Sequence, residues 1–179
     1  MDGSHSGTPR LIRLAIAAVI ALAALSGSCG SPQTRTTYDT LKIPDERTAV
    51  VWIAKAFKRE GLEVEAERPI RIASDATLNA DVSAVDKPWS VVWLSPDELV
   101  ELKGKLPPAP PGLADGALWV HRGIGEDDGQ RMLILLAKDY EYDPDPRGEG
   151  VVRSIEEVEA RTVKDVSDFL VRAKKGELN

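Results

Sequence analysis

Trp89-Ser90-Val91-Val92-Trp93-Leu94-Ser95-Pro96-Asp97-Glu98 is the stretch on which the fold turns. Its first half is apolar on both faces of an extended chain, the pattern of a central strand covered on two sides. Its second half is a helix start. Ser95 caps, Pro96 takes the first helical position, and Glu98 completes a capping box. Leu99 and Leu102 give this short helix an apolar side, and it stops near Gly104. The proline run from Leu106 to Gly112 follows as a stiff extended loop.

Upstream, Asp86-Lys87-Pro88 turns the chain into the central strand. Thr77 to Val85 alternates and predicts one strand, with Leu78, Ala80, Val82 and Ala84 facing one way and Thr77, Asn79, Asp81 and Ser83 the other. Leu62 to Glu67 alternates too, with Glu63, Glu65 and Glu67 toward water. Asp45 to Glu60 predicts a helix on the stripe Ala49, Val50, Ile53, Ala56 and Phe57, with Trp52 at its edge. Asp45 suits its N-cap and Gly61 its C′ position.

Downstream, Ala117 to Ile124 and Arg131 to Lys138 predict a hairpin, with Asp128-Gly129 suited to positive φ in its turn. Leu133 to Leu136 reads as buried, and Asp139 to Gly150 as an acidic loop. Ser154 and Glu157 then box the start of a last helix whose stripe is Ile155, Val158, Thr162, Val166, Phe169, Leu170 and Ala173. Lys174 and Lys175 suit the negative end of its dipole. The order is helix, three strands, helix, two strands, helix, with strands joined by tight turns. It predicts an α+β, two-layer domain with a mainly antiparallel five-stranded sheet. The N-terminal and C-terminal helices should pack on one face, with the short helix between strands three and four.

The N-terminal region has a different organisation. Met1 to Arg13 is polar, with Arg10 and Arg13 against Asp2; Leu14 to Leu25 is uncharged and apolar; Ser26-Gly27-Ser28 is small; Cys29 follows. As a helix the apolar run rises about 18 Å, short of the roughly 30 Å hydrocarbon core, which predicts a secretory signal rather than a spanning helix. Leu25-Ser26-Gly27-Ser28-Cys29 resembles the lipobox of bacterial lipoproteins. The resemblance implies a diacylglyceryl group on the Cys29 thiol and cleavage just before it, where small residues suit a narrow peptidase site. It departs from the usual pattern in one place, since Ser26 stands three before the cysteine and the large residue, Leu25, one further out.

The expected organisation is then a signal peptide over 1–28, a lipidated Cys29 with a flexible tether to residue 43, and a single domain over 44–179. A tether of that length reaches roughly 20 Å. The resemblance places the chain at the bacterial cell envelope, lipid-anchored and facing the periplasm or the surface. Gly30 stands where some bacteria use Asp to retain lipoproteins at the inner membrane, which favours the outer membrane.

Composition narrows the chemistry. The chain carries 23 Lys/Arg and 29 Asp/Glu; with Arg10, Arg13 and Asp2 in the leader, the remainder holds 21 and 28, a net charge of −7. So acidic a domain does not suit nucleic acid, whose binding depends on neutralised phosphates. It is also repelled by anionic headgroups, so the membrane partner is reached through the lipid on Cys29. Cys29 is the single cysteine, and His121 is the one histidine outside the leader. An internal disulfide and a Cys–His nucleophilic pair are therefore excluded from the domain, and it must stand on its core.

Three features carry candidate chemistry. Asp139, Glu141, Asp143 and Asp145 alternate and can offer oxygens to a hard cation such as calcium, although the EF-hand spacing is absent; the plainer reading is a solvated strand end. Trp119 and His121 lie on one face of a strand and can line a ligand pocket, as can Trp89 and Trp93; the plainer reading is core. Pro107, Pro108, Pro110 and Pro111 form P-x-x-P pairs, or simply a rigid connector. No G-x-S-x-G or S-x-x-K frames a serine. The expected function is a non-enzymatic binding module of the envelope, with an envelope protein as partner and no cofactor. The rivals are a carboxylate-based hydrolase or small-ligand enzyme with His121 or Asp139 in its site, and a calcium-dependent module.

Overall fold

A computed structural model describes residues 41–106, 108–111, 117–144 and 153–178. The expected signal peptide, Cys29 and the tether up to residue 40 lie outside the described residues. Lys42, expected in the tether, already pairs with Tyr142 through reciprocal backbone hydrogen bonds of 2.9 Å.

The first helix, α1 (Glu46–Arg59), begins where Asp45 accepts the Thr48 N–H at 2.8 Å and ends at Glu60, with Gly61 left-handed behind it. It buries Ala49, Trp52, Ile53, Ala56 and Phe57, so Trp52 belongs to the buried arc rather than its edge. Strands β1 (Val64–Glu65), β2 (Arg68–Ala73), β3 (Ala76–Ala80), β4 (Val82–Ala84) and β5 (Trp89–Leu94) follow. Then come α2 (Pro96–Glu101), β6 (Val120–Arg122), β7 (Arg131–Leu136) and α3 (Ile155–Lys175). The capping boxes of Ser95 with Glu98 and of Ser154 with Glu157 are both formed.

The main sheet is five-stranded in the order β1-β4-β5-β7-β6, with β5 at its centre. Its neighbours run antiparallel except β5 and β7, which are parallel. The reason is the helix start at Ser95: β5 runs into α2 instead of a turn, and the long connection lets β7 return in the same direction. The architecture is α+β.

Three local expectations differ. The segment 77–85 is not one strand but two, parted at Asp81. The backbone N–H of Asp81 donates to the Val91 carbonyl at 3.0 Å, and its carboxylate accepts the Trp93 N–H at 2.6 Å. The side chain thus stands in for a strand carbonyl while the backbone leaves the sheet. Beyond it, β3 pairs with β2 in a separate two-stranded sheet, and β2 lies in a segment whose alternation is interrupted by Pro69. In the hairpin turn, Gly125 rather than Gly129 takes positive φ, and a 3-10 turn occupies Gly125–Asp127.

The β2–β3 hairpin gives the sheet a second cover, a layer beyond the two expected. Ala49, Phe57, Val166, Phe169 and Leu170 of the two long helices pack with Val82, Ala84, Val91, Trp93, Leu133 and Leu135. Ile70, Ile72, Leu78 and Ala80 of the hairpin pack with Val92, Leu94, Met132, Ile134 and Leu136. Arg68 ties the hairpin to the sheet, donating to the Ala84 carbonyl at 2.6 Å, the Lys87 carbonyl at 2.8 Å and Glu65 at 2.8 Å. Packing holds the two helices to each other: Phe57 and Phe169 are fully buried, about 2–3 kcal/mol each. The exposed Lys55–Glu159 ion pair between them adds below about 1 kcal/mol.

Candidate functional site

The densest polar cluster lies where β7 ends. After Leu136 the chain makes a 3-10 turn, Ala137–Tyr140, that swings Tyr140 under α3. There the phenol donates to Asp165 Oδ2 at 2.8 Å. Arg161, one helical turn before Asp165, donates from Nη1 to the Asp139 carbonyl at 2.9 Å. Its Nε is 3.6 Å from Asp165, and its guanidinium stacks 5.0 Å from the Tyr140 ring centre. Trp93 packs on the same ring, 5.1 Å centre to centre and tilted by 44°.

Burial, with the Asp165 charge next, drives the Tyr140 phenol far above the ordinary tyrosine range. The phenol is therefore a permanent donor and not a base. Tyr140, Arg161, Asp165 and Trp119 line a cavity of about 20 Å³, enough for about one water and too small for a substrate. Trp119 is 5% exposed, and its indole N–H has no acceptor among the described residues.

A second polar point is Asp81. Burial, opposed by the Trp93 hydrogen bond and aided by the charges of Glu46 and Glu98, raises its carboxyl to about 6. It shares its surroundings with acids and hydrogen-bonds a backbone amide.

Of the residues singled out in the sequence, Trp119 and His121 both sit on the side of the sheet facing the hairpin. His121 is half-buried, and its Nε2 donates to the Ile72 carbonyl at 3.3 Å. It lies apart from the residues lining the Tyr140 cavity. Asp139 contributes its carbonyl there, while Asp143 donates its backbone N–H to the Arg153 carbonyl at 3.0 Å. Asp145 lies outside the described residues, and among those described no three His, Cys, Asp or Glu side chains come together to hold a metal ion.

Two clusters escaped the sequence reading. Arg161 and Asp165 stand four apart on the last helix, but nothing in the sequence marks Tyr140 as their partner. Asp81 fell on the polar side of an alternating run, where an acid draws no notice.

A cleft of about 320 Å³ also opens beside β6, between Pro108, Pro110, Leu118 and Val120 on one side and Arg172 near the end of α3 with Glu177 and Leu178 just beyond it on the other. Comparison of the chain with protein-family models, with curated proteins and with solved structures finds no match.

Proposed function

We propose that the chain is an exported bacterial lipoprotein, cleaved before Cys29 and held at the envelope by lipid on that residue, and that its domain is a non-enzymatic binding module. The leader carries the first half of this reading: an apolar run, small residues and the single cysteine stand in the order that a lipoprotein signal needs. One observation carries the second. The groups best suited to chemistry are spent inside the fold, Tyr140 on Asp165, Asp81 on Trp93 and His121 on Ile72.

The test uses the full chain expressed in a diderm bacterium. Wild type incorporates a labelled fatty acid and sediments with membranes; Cys29→Ser loses the label and is released to the soluble periplasm. Photo-crosslinking in the intact envelope gives a recurring protein adduct that Cys29→Ser weakens, while His121→Ala and Asp139→Asn leave it unchanged. An unlabelled wild type retained in the cytoplasm overturns the anchor. Turnover of a hydrolase substrate that Asp139→Asn abolishes overturns the binding module.

A further inference from the structure

The domain is acidic in sum, yet one face of it is basic. On α1 the exposed side chains Arg47, Val51, Lys55 and Lys58 recur at helical spacing along the side opposite the buried arc of Ala49, Ile53, Ala56 and Phe57, with Arg59 at its border. Val51, Ala54, Lys55, Lys58 and Arg59 line an open depression of about 580 Å³. Val51 is 61% exposed, an apolar side chain set among four cations.

The acids around this face are engaged or turned elsewhere. Glu159 of α3 pairs with Lys55, and Glu60 pairs with Lys174 at 2.7 Å. Glu156, one turn before Glu159, is held by the Ser154 side chain. Asp45 caps the helix, and Glu46 lies toward Asp81. Glu63 shares the parity of Glu65, which pairs with Arg68 of the hairpin. Arg47, Lys58 and Arg59 have no ion-pair partner among the described residues. Four cations less Glu159 leave this face a net charge of +3, where the chain beyond the leader sums to −7.

The covalent path from the expected anchor to this face is short. Lys42 is fixed to Tyr142, so residues 30–41 join Cys29 to the domain, at most about 40 Å of chain. The outer face of α1 begins a few residues further on and runs for about 21 Å. Tethering makes docking on the bilayer an intramolecular step, for which a few charges suffice. Each Lys or Arg beside an anionic bilayer favours the docked state about fivefold, and three favour it about a hundredfold. The acidic remainder is repelled by the same headgroups, so it orients the domain with α1 inward. We propose that in the anchored protein the outer face of α1, around Val51, docks on the anionic headgroups of a phospholipid bilayer. This rests on the lipid-anchor reading and adds an orientation to it.

The test reconstitutes the full chain, isolated in detergent, into vesicles of phosphatidylcholine alone or mixed in equal parts with phosphatidylglycerol. A thiol dye is placed on Ala54→Cys in the face and, as reference, on Asn79→Cys in the hairpin beyond the sheet. Lipid with a nitroxide headgroup quenches whichever dye lies at the surface. With phosphatidylglycerol the quenching at position 54 should exceed that at 79 several-fold. It should fall to the reference level without phosphatidylglycerol, or in molar salt, where charges are screened within about 3 Å. Lys58→Gln with Arg59→Gln should shift the docked-to-free ratio about 25-fold toward free, while Lys58→Arg keeps it. The salt arm needs no change to the cations, so it holds even if a variant misfolds.

Equal quenching at the two positions overturns the docking, as does quenching at 54 that ignores phosphatidylglycerol and salt. A benzophenone at position 54 that captures a second copy or an envelope protein, with no docking on vesicles, assigns the face to a polypeptide and also overturns it. A wild-type Cys29 thiol that takes the dye overturns the anchor instead; quenching at position 54 in a Cys29→Ser background, on the same vesicles, still decides the face.

Discussion

Asp81→Asn should stabilise the domain at neutral pH, and the gain should vanish in acid. The carboxyl gives up its proton near 3.8 in the unfolded chain but holds it to about 6 in the fold, chiefly because it is withdrawn from water. Between those values the folded state binds more protons than the unfolded one, so stability falls as pH rises through the window and the loss is complete above it. At about 1.4 kcal/mol per pH unit the interval is worth about 3 kcal/mol, and because the side chain is only half-buried, solvent screening reduces this to about 1–2 kcal/mol.

Asparagine keeps an oxygen for the Trp93 N–H, removes the charge, and turns an amide donor toward Glu46 and Glu98. Urea unfolding followed by tryptophan fluorescence reads the effect. At pH 7 the midpoint of Asp81→Asn should exceed that of wild type by roughly 0.5–1 M, and at pH 4 the two should coincide. Asp81→Ala is the counterpart. It orphans the Trp93 N–H and should cost about 1–3 kcal/mol at pH 4, where the wild-type carboxyl is neutral. A gain for Asn that persists undiminished at pH 4, or no gain at pH 7, would refute the reasoning.

Other substitutions test the remaining joints. Tyr140→Phe removes the 2.8 Å bond to Asp165 and should cost about 1–2 kcal/mol, read from the shift in thermal midpoint. Arg68→Ala cuts the ties between the hairpin and the sheet; a loss of about 2 kcal/mol is expected, with amide exchange accelerated in β2 and β3 ahead of β5 and β7. Gly123→Ala places a Cβ 2.2 Å from the Asp127 carbonyl oxygen, so the turn must open. The expected cost is about 2–3 kcal/mol, with the Arg71 amide resonance shifted as its bond to Asp127 is lost.

The parts legible in the sequence were those governed by local rules. Ser95 with Glu98 and Ser154 with Glu157 closed their boxes because a helix start is decided within four residues. The two-sided apolar pattern of 89–94 marked the centre of the sheet for the same reason. Illegible were the features set by partners far along the chain. Leu78, Ala80, Val82 and Ala84 share one parity, yet the first two pack in the hairpin core and the last two in the helix core, because the strand changes layers at Asp81. Alternation reports which residues are buried and not against what. Tyr140 gave no local sign of its bond to Asp165, 25 positions away.

The parallel pair at the heart of the sheet also sets when the molecule folds. Each residue of β5 waits for one 42 positions further on, Trp89 for Arg131 and Leu94 for Leu136. Closing so long a loop comes before any return from the contact, and pairing of this kind is slow, on the order of milliseconds to seconds. As the chain emerges from the ribosome, β4 and β5 can meet early and the β2–β3 hairpin can cover Val92 and Leu94, but the edge of β5 that pairs with β7 stays open until β7 arrives. Under the proposed export, that interval is when the chain can still be threaded through a translocation channel. Shortening the 95–130 connection would be expected to hasten folding and, for an exported precursor, to lower the fraction that crosses.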